Sequence, residues 1–467
     1  MAKKKLARAT VDFETEPVGG FRPDQYPPKP VGVSIRRPGE KRAKYYAFGH
    51  PTKNNCTEAQ AKSALADVYA TAPAILCHHG KFDLDVAEKH WGLKVPDWER
   101  NHDTVFLLAL NDPYASDFKL KSSAERLLNM PPEERDAIRD WAIEQKLMPK
   151  NKKEAGHLIC KAPGDLVGKY ADGDVTRTDG LFDLVHPLIM DAGMGAAYDR
   201  ERRLMPVLLR NERQGVCADL KLLRAEAKKY GGTKDAEKHG DLGDFSGGAT
   251  DIAQNWLRKR LKGKDLDIDK DEDLAEALIK SKAANEDLFL RTPTGKMSTA
   301  KDSLIGAVVD QRVLSVLQYL SKLGTAKGTF LLPWLREAEH TGGMVHPSWN
   351  QVRSHGAGGE SGAKTGRLSA SRFMNVPKPY MEKAGKYEHP KFVDGLPELP
   401  KVRNYLLPDK GTVWGKRDYM QQELRVLAHF EDGVLLQNYL DDPKLDVHQL
   451  AAEMVCKMLG IPLTPDM

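Results

Sequence analysis

The stretch Leu6-Ala-Arg-Ala-Thr-Val-Asp-Phe-Glu-Thr-Glu16 decides how the first part of the chain folds. Its apolar and β-branched residues predict a β-strand, and residues 30–36 and 44–48 follow as two further short strand patterns. Because side chains alternate between the two faces of a strand, Asp12 and Glu14 lie on the same face. The sequence therefore predicts a three-stranded meander whose first strand carries a pair of carboxylates.

Helical and strand patterns alternate after this meander. Residues 57–69 predict a helix, and the apolar run at 74–77 is short enough for a buried strand. Further helical patterns cover residues 82–90, 104–110, 119–128, 132–147 and 163–190. This order indicates an α/β domain that ends near residue 195.

The composition is that of a globular chain with several domains. Its 467 residues suggest about three domains at roughly 150 residues each. Charged residues make up 29% and hydrophobic residues 40%, which excludes a largely disordered chain. No apolar run approaches the roughly 20 residues of a membrane-spanning helix, so no membrane partner is expected. The net charge of +5 permits an anionic partner such as nucleic acid.

The cysteines and the amino terminus indicate a cytoplasmic location. The five cysteines are far apart and form no C-x-x-C pair, which predicts neither a zinc site nor a disulfide framework. Residues 1–10 are basic but lack the apolar core of a signal peptide. We therefore expect a reducing, cytosol-like compartment.

Later segments carry further acids that can converge on Asp12 and Glu14. Asp83 follows a predicted buried strand, and Tyr170 and Asp174 lie four residues apart on a predicted helix and so share a face. Taken alone, the first pair is more typical of a solvated strand end, because a D-x-E pattern is common by chance. Together the four acids predict a site for two divalent cations, because carboxylates are the ligands that hard cations prefer.

Such a site suits hydrolysis of a phosphodiester. That reaction uses two cations about 3.5–4 Å apart, of which one activates water and the other stabilises the leaving oxygen. A nearby phenol can position the attacking water. Tyr170 is therefore a candidate for that role.

The ordered motifs D-x-E, F-D after a strand and Y-x-x-x-D on a helix resemble the DEDD proofreading exonucleases of the Tyr subtype. The resemblance covers about the first 195 residues, and it implies a ribonuclease H-like fold, 3′–5′ exonuclease activity on a DNA 3′ end and two Mg²⁺ or Mn²⁺ ions. It further implies a division of roles among the ligands. Asp12, Glu14 and Asp174 would hold the first ion, Asp12 and Asp83 would reach the second, and Tyr170 would orient the water.

One position departs from that family. Four residues before Asp83 the family usually carries an asparagine, whereas this sequence has His79. Since histidine still donates a hydrogen bond, we expect His79 to contact the DNA end and to affect the rate more than the type of reaction. An inactive nuclease that is kept for its fold is the alternative, although no metal ligand is missing.

The second half of the chain resembles family A DNA polymerases, and more closely the phage replicative ones. Residues 202–219, 292–299 and 343–351 match in order, followed by Thr365-Gly-Arg-Leu-Ser369. The resemblance implies that Thr365, Arg367 and Asn375 contact the primer strand. The minor groove offers acceptors there that are nearly independent of sequence, as a copying enzyme requires.

The strongest similarity is Asp418-Tyr-Met-Gln-Gln-Glu-Leu-Arg-Val-Leu-Ala-His429, which resembles motif A of those polymerases. Residues 412–414 predict a strand that leads into it, and 421–430 predict a helix. The resemblance implies that Asp418 holds a catalytic cation. It also implies that Gln421 and Glu423 select the nucleotide, Glu423 by crowding a ribose 2′-OH.

Measured against that family, the sequence predicts an exonuclease domain at 1–195, a helical thumb at 196–340, and a partial α+β palm with the start of the fingers at 341–467. The family's R-x-x-x-K…Y-G helix and His-Asp-Glu turn do not occur in the 467 residues. We therefore expect a separate carboxyl-terminal subunit to complete nucleotide transfer, with dNTP bound only in its presence.

The expected DNA partners are a single-stranded 3′ end and a primer–template duplex, in the cytoplasm of the host if a phage encodes the chain. Two alternatives stay open. One is a non-catalytic subunit that binds primer–template DNA, and the other is a stand-alone exonuclease.

Overall fold

The structure is a computed structural model that describes residues 6–17, 26–131, 133–152, 155–356, 359–371, 373–374, 376–379 and 388–462. Its first part is built on a mixed sheet. The strands are β1 (Ala9–Thr15), β2 (Pro30–Arg36), β3 (Lys44–Ala47), β4 (Ile75–Cys77) and β5 (Asn101–Asp103). Their order across the sheet is β3-β2-β1-β4-β5.

The predicted meander is confirmed. β1, β2 and β3 pair antiparallel, whereas β4 and β5 continue the sheet parallel to β1. The register places Asp12 opposite Ser34 and Glu14 opposite Gly32. A Cβ atom on residue 32 would clash with the hydroxyl end of the buried Tyr45 side chain, so any residue other than glycine there would force the Tyr45 ring to move. The sheet therefore fixes the spacing of the two carboxylates on β1.

Seven helices pack against this sheet or against one another, and the first six lie close to their predicted positions. They are α1 (Glu58–Thr71), α2 (Gly80–Trp91), α3 (Thr104–Asn111), α4 (Leu120–Leu128), α5 (Glu133–Glu144), α6 (Gly164–Asp191) and α7 (Gly195–Gln214). Thr57 and Gln60 form a reciprocal capping box at the start of α1. The long helix α6 packs across β1, β2 and β3. The mixed α/β class is thus confirmed.

Strand β5 was not predicted, because Asn101-His-Asp103 lacks the apolar pattern of a strand. It forms because its backbone pairs in parallel with β4, and all three of its residues are buried. Tertiary pairing here overrides local propensity.

Helices dominate the next part of the chain. They are α8 (Leu220–Tyr230), α9 (Thr233–Lys238), α10 (Ala249–Arg260), α11 (Asp271–Lys280), α12 (Lys301–Ala307), α13 (Gln311–Thr325) and α14 (Leu332–Thr341). A π-helical turn, Ala326–Leu331, joins the last two. Their apolar faces bury one core that includes Tyr319, Trp334 and Tyr405.

Short strands connect these helices to the first part. They are β6 (Val216–Ala218), β7 (Met344–Val345), β8 (Ser348–Asn350), β9 (Ser354–Gly356), β10 (Gly359–Ser361), β11 (Ser369–Ser371) and β12 (Leu406–Leu407). β6 lies between β12 and β7 in one small sheet, β8 pairs with β11, and β9 pairs with β10.

The chain divides into two compact units, Met1–Leu407 and Pro408–Met467. The second unit contains α15 (Gln422–Glu431), α16 (Val434–Asp441) and α17 (Val447–Leu459). Its predicted strand at 412–414 is wrong, since these described residues form no regular element. Val413 is 88% exposed and Trp414 is 59% exposed, so this run has neither a paired strand nor a core to pack on. The predicted domain boundaries near 195 and 340 stay predictions.

Among the helices that the structure describes, none is both long enough and apolar enough for a bilayer span.

Candidate active site

Three predicted carboxylates meet where α6 crosses β1. Asp12, Glu14 and Asp174 each place a carboxylate oxygen within 4.8 Å of the other two. Glu14 and Asp174 are buried, and Asp12 is half-buried. The strand supplies two acids at a spacing of two, and the helix supplies the third from its interior. The arrangement follows from the alternation of a strand and from the packing of a long helix over it.

Asp83 joins this group through the backbone of β1. It lies buried in the first turn of α2, and the Phe13 amide donates a hydrogen bond to its Oδ1 at 2.9 Å. Phe13 separates Asp12 from Glu14, so the bond holds the Asp83 carboxylate beside both. A negative charge in the first turn of a helix is also stabilised by the helix dipole.

The carboxylates of this group resist ionisation in the absence of cations. Burial and the charge of Asp174 raise the pKa of Asp12 to about 8. Burial and the charge of Asp12 also raise the pKa values of Glu14 and Asp83 well above the ordinary range. Like charges in a low-dielectric site oppose each other's ionisation, and divalent cations remove that penalty. The donor set is all oxygen, which fits Mg²⁺ or Mn²⁺.

Tyr170 lies one turn before Asp174 on α6, as its spacing predicts. Its hydroxyl hydrogen-bonds to Asp174, and burial and that carboxylate raise its pKa. The phenol therefore keeps its proton and can donate or accept a hydrogen bond without charge.

Lys121 is a residue of this site that sequence reasoning missed. Its Nζ lies 3.4 Å from Asp174 Oδ2 and 3.6 Å from the centre of the Tyr170 ring. Burial lowers its pKa, while Asp174 and Glu14 act in the opposite direction. One signal was available in the sequence: a lysine in the first turn of a helix, here α4, is disfavoured by the helix dipole unless it meets an acid elsewhere.

His79 stands at the entrance of α2 in a left-handed conformation, φ 64° and ψ 42°, with its side chain exposed. Asp103 at the end of β5 fixes this turn. Its two carboxylate oxygens accept hydrogen bonds from the amides of His79 at 3.2 Å and Gly80 at 2.8 Å. The imidazole is thereby directed away from the helix, while its contact with DNA stays a prediction.

The predicted primer-contact residues lie on the segment before β11. Thr365 and Arg367 are exposed there. Asn375 lies outside the described residues. β11 pairs antiparallel with β8, and β8 lies next to α7. This pairing connects the segment to the rest of the first unit. Their role in binding DNA stays a prediction.

The predicted polymerase residues lie in the second unit. Asp418 and Glu423 are exposed, and Asp418 lines an open groove with Arg417, Arg425 and other residues of this unit. Gln421 has a left-handed backbone, and its side chain donates to Asp446 at 2.9 Å and accepts from Tyr439 at 2.6 Å. The Gln421 amide thus joins three segments of the unit. Its role in selecting a nucleotide stays a prediction.

Comparison with known sequences identifies the second half of the chain. Residues 249–466 match the family model for DNA polymerase family A. This part of the chain is similar to family A DNA polymerases. The resemblance inferred from the motifs is therefore confirmed over that range.

Proteins similar to this chain include phage and bacterial DNA polymerases. DNA polymerase DpoZ of Salmonella phage PMBT28 is 24% identical over 97% of this chain and 66% of its own length. DpoZ of Vibrio phage phiVC8 is 24% identical over 83% of this chain and 57% of its own length. DNA polymerase I of Rhizobium leguminosarum is 26% identical over 64% of this chain and 25% of its own length. The chain thus spans less than two thirds of the length of these relatives.

A solved structure shares the fold. The polymerase domain of Pol1 from M. smegmatis, in complex with DNA primer-template and dNTP, aligns over 99% of this chain and 66% of its own with a TM-score of 0.63. The sequences are 17% identical, so the likeness is one of fold.

Proposed function

We propose that this chain is a metal-dependent 3′–5′ exonuclease joined to the amino-terminal portion of a family A DNA polymerase, and that it acts in DNA replication. The convergence of Asp12, Glu14 and Asp174 within 4.8 Å carries the exonuclease part. The sheet order, a meander followed by parallel strands, supports a ribonuclease H-like domain. The family A domain at 249–466 supports the polymerase part.

Two Mg²⁺ or Mn²⁺ ions fit the carboxylates. Asp12, Glu14 and Asp174 would hold one ion, and Asp12 with Asp83 would hold the other. Bound ions of this kind lower the pKa of water and stabilise the charge on a leaving oxygen.

The remaining side chains act on the water and the phosphate. Tyr170 keeps its proton because of its raised pKa, so its hydroxyl orients a water molecule beside Asp174. Lys121, over the Tyr170 ring, presents a positive charge that a phosphodiester can approach. The exposed imidazole of His79 stands at the entrance of α2, where it can meet a DNA 3′ end.

We also propose that the polymerase site is completed by a separate carboxyl-terminal subunit, which would bring dNTP binding. Residues 408–462 support this proposal because they leave many apolar side chains exposed. The most exposed of them include Val413, Phe430, Val434 and Met458, each more than 70% accessible. An apolar surface of this kind in a soluble chain marks an interaction site.

Primer extension tests the subunit proposal. The chain is mixed with each polypeptide encoded directly downstream, and extension of a labelled primer–template by dNTP is followed. We expect extension from one mixture and none from either component alone. Extension by no such mixture would contradict the proposal.

The phage relatives support the cytoplasm of a host cell as the place of action.

Digestion of end-labelled DNA tests the exonuclease proposal. With Mg²⁺, a single-stranded oligonucleotide labelled at its 3′ end should lose the label at once as mononucleotide, whereas a 5′ label should remain on progressively shorter products. The doubly substituted Asp12→Ala, Asp174→Ala chain should release no label. Equal digestion by that variant would contradict the assignment. Retention of primer–template duplex without any digestion would instead favour a non-catalytic DNA-binding subunit.

A further inference from the structure

Tyr114 is a strongly exposed aromatic residue on the surface of the first unit. Its side chain is 76% exposed, more than any other large apolar side chain that the structure describes in the first unit. A single exposed aromatic residue is ordinary by itself. The surroundings of Tyr114 distinguish it.

The turn that carries Tyr114 is anchored on both sides. Its own amide donates to Asp112 Oδ1 at 2.9 Å. The next residue, Ala115, is buried, and its carbonyl accepts a hydrogen bond from the guanidinium of Arg353. Phe118 at the end of the turn is also buried, with the same guanidinium 5.8 Å from its ring centre. The aromatic ring is thus held outward by a fixed backbone.

One cation lies beside the exposed ring, and a second lies near the segment that carries the first. Lys364 Nζ lies 5.6 Å from the centre of the Tyr114 ring, and Lys364 itself is exposed. Arg200 lies close to the segment of Lys364, with its Nη2 atom 3.7 Å from the position of a Cβ on Gly366, and its side chain is 63% exposed. Glu201 pairs with Arg200 at 3.0 Å and offsets part of that charge. The surface still combines an aromatic face with exposed positive charge.

This surface lies between the two sites where we propose that DNA is held. On one side, Lys364 belongs to the segment that contains Thr365 and Arg367. On the other side, the Phe118 backbone hydrogen-bonds to His78, whose ring centre lies 5.0 Å from that of His79. The turn at residues 114–118 therefore contacts the primer-contact segment through Tyr114 and the entrance of α2 through Phe118.

We infer that Tyr114, with Lys364 and Arg200, is a binding site for an unpaired base of single-stranded DNA. The inference rests on the proposed function, because it gives the 3′ strand a resting place between the two sites. Stacking on aromatic rings beside a cationic groove is the chemistry by which proteins hold single strands without reading sequence.

Binding of a fluorescent single-stranded dT oligonucleotide tests the site. Fluorescence anisotropy in EDTA prevents digestion, so the result does not depend on nuclease activity. Loss of one stacked base weakens binding about tenfold, so Tyr114→Ala should raise the Kd by about that factor. Tyr114→Phe, which keeps the ring, should stay within about twofold of the unsubstituted chain. Lys364→Gln should raise the Kd and reduce the salt dependence of binding.

Leu188→Ala is the matched control, since Leu188 is 51% exposed on α6, about 20 Å along the helix from Asp174. It should bind as the unsubstituted chain does. A Kd for Tyr114→Ala within twofold of that chain would overturn the inference. So would equal weakening by Tyr114→Phe, because the hydroxyl and not the ring would then be responsible. If the unsubstituted chain digests no DNA, the exonuclease proposal fails while this binding result still decides the role of Tyr114.

Discussion

The carboxyl group of Asp12 is held where two effects oppose its ionisation. Burial and the neighbouring Asp174 raise its pKa from 3.8 to about 8. In the folded chain it therefore binds a proton more tightly than in the unfolded chain. The stability that this proton confers is complete below about pH 4 and is lost as the pH rises toward 8. Without cations, the site thus costs stability at neutral and alkaline pH.

Substitution of Asp12 by asparagine should remove that cost. At pH 8 in EDTA, we expect Asp12→Asn to be more stable than the unsubstituted chain by on the order of 1–3 kcal/mol, measured by thermal unfolding. Added Mg²⁺ should raise the Tm of the unsubstituted chain and should raise that of Asp12→Asn much less, because a ligand stabilises only the state that binds it.

Asp172→Asn is the control for this measurement. Asp172 lies on the same helix as Asp174 but accepts a hydrogen bond from the Ala43 amide, outside the carboxylate group. It should keep the response to Mg²⁺. A Tm for Asp12→Asn below that of the unsubstituted chain in EDTA would contradict the electrostatic account.

The residues of the candidate site differ in whether their positions can be predicted from the sequence. Asp12 and Glu14 could be placed on one face because the period of a strand is local. Lys121 could not be placed over Tyr170, because that contact depends on how α4 packs on α6. The local sequence pattern predicts the candidate ligands. Residues that modulate them, such as Lys121, come close only through tertiary packing.

At the scale of elements, helix α2, which carries Asp83, is connected to strand β8 by a partly buried polar link. Glu212 on α7 accepts hydrogen bonds from Lys81 Nζ and from the Trp349 amide, both at 2.5 Å. Lys81 also donates to the Trp349 carbonyl at 2.8 Å. Lys81 stands two residues before Asp83, and β8 pairs with β11 next to Arg367. The link thus holds two proposed DNA-contacting segments in one arrangement.

Glu212→Ala should break this link. It leaves the Trp349 amide and the Lys81 ammonium without their carboxylate acceptor, which should cost about 1–3 kcal/mol in urea unfolding. Glu212→Gln keeps a neutral acceptor oxygen and should cost less. Glu339→Ala is the control, since it removes the exposed ion pair with Arg224 and should cost at most about 1 kcal/mol. Equal costs for Glu212→Ala and Glu339→Ala would contradict a structural role for the link.

The elements themselves were predictable where pattern and context agree. β2 has the bounds that the sequence predicts, because the apolar and β-branched residues of a strand are a local signal. The strand expected at 412–414 is wrong for the opposite reason. Its apolar residues satisfy the pattern of a strand, but a strand also needs a neighbour for its backbone groups.

At the scale of the whole molecule, the two units differ in how many of their apolar side chains they bury. The first unit buries large cores, among them the one around Trp334. Within the described part of the second unit, few apolar side chains are buried. They are Ala428, Tyr439 and Cys456. This exposed apolar surface agrees with the proposed completion of the polymerase by a further polypeptide.

The exonuclease claim concerns the first unit, and one measurement tests it most directly. Release of a 3′-terminal labelled nucleotide from single-stranded DNA is compared for the unsubstituted chain, Asp174→Ala and Asp172→Ala, with Mg²⁺ and with EDTA. We predict that Asp172→Ala releases label at nearly the unsubstituted rate, that Asp174→Ala is slower by on the order of 10³-fold, and that EDTA stops release. An undiminished rate for Asp174→Ala, or release that persists in EDTA, would contradict the account.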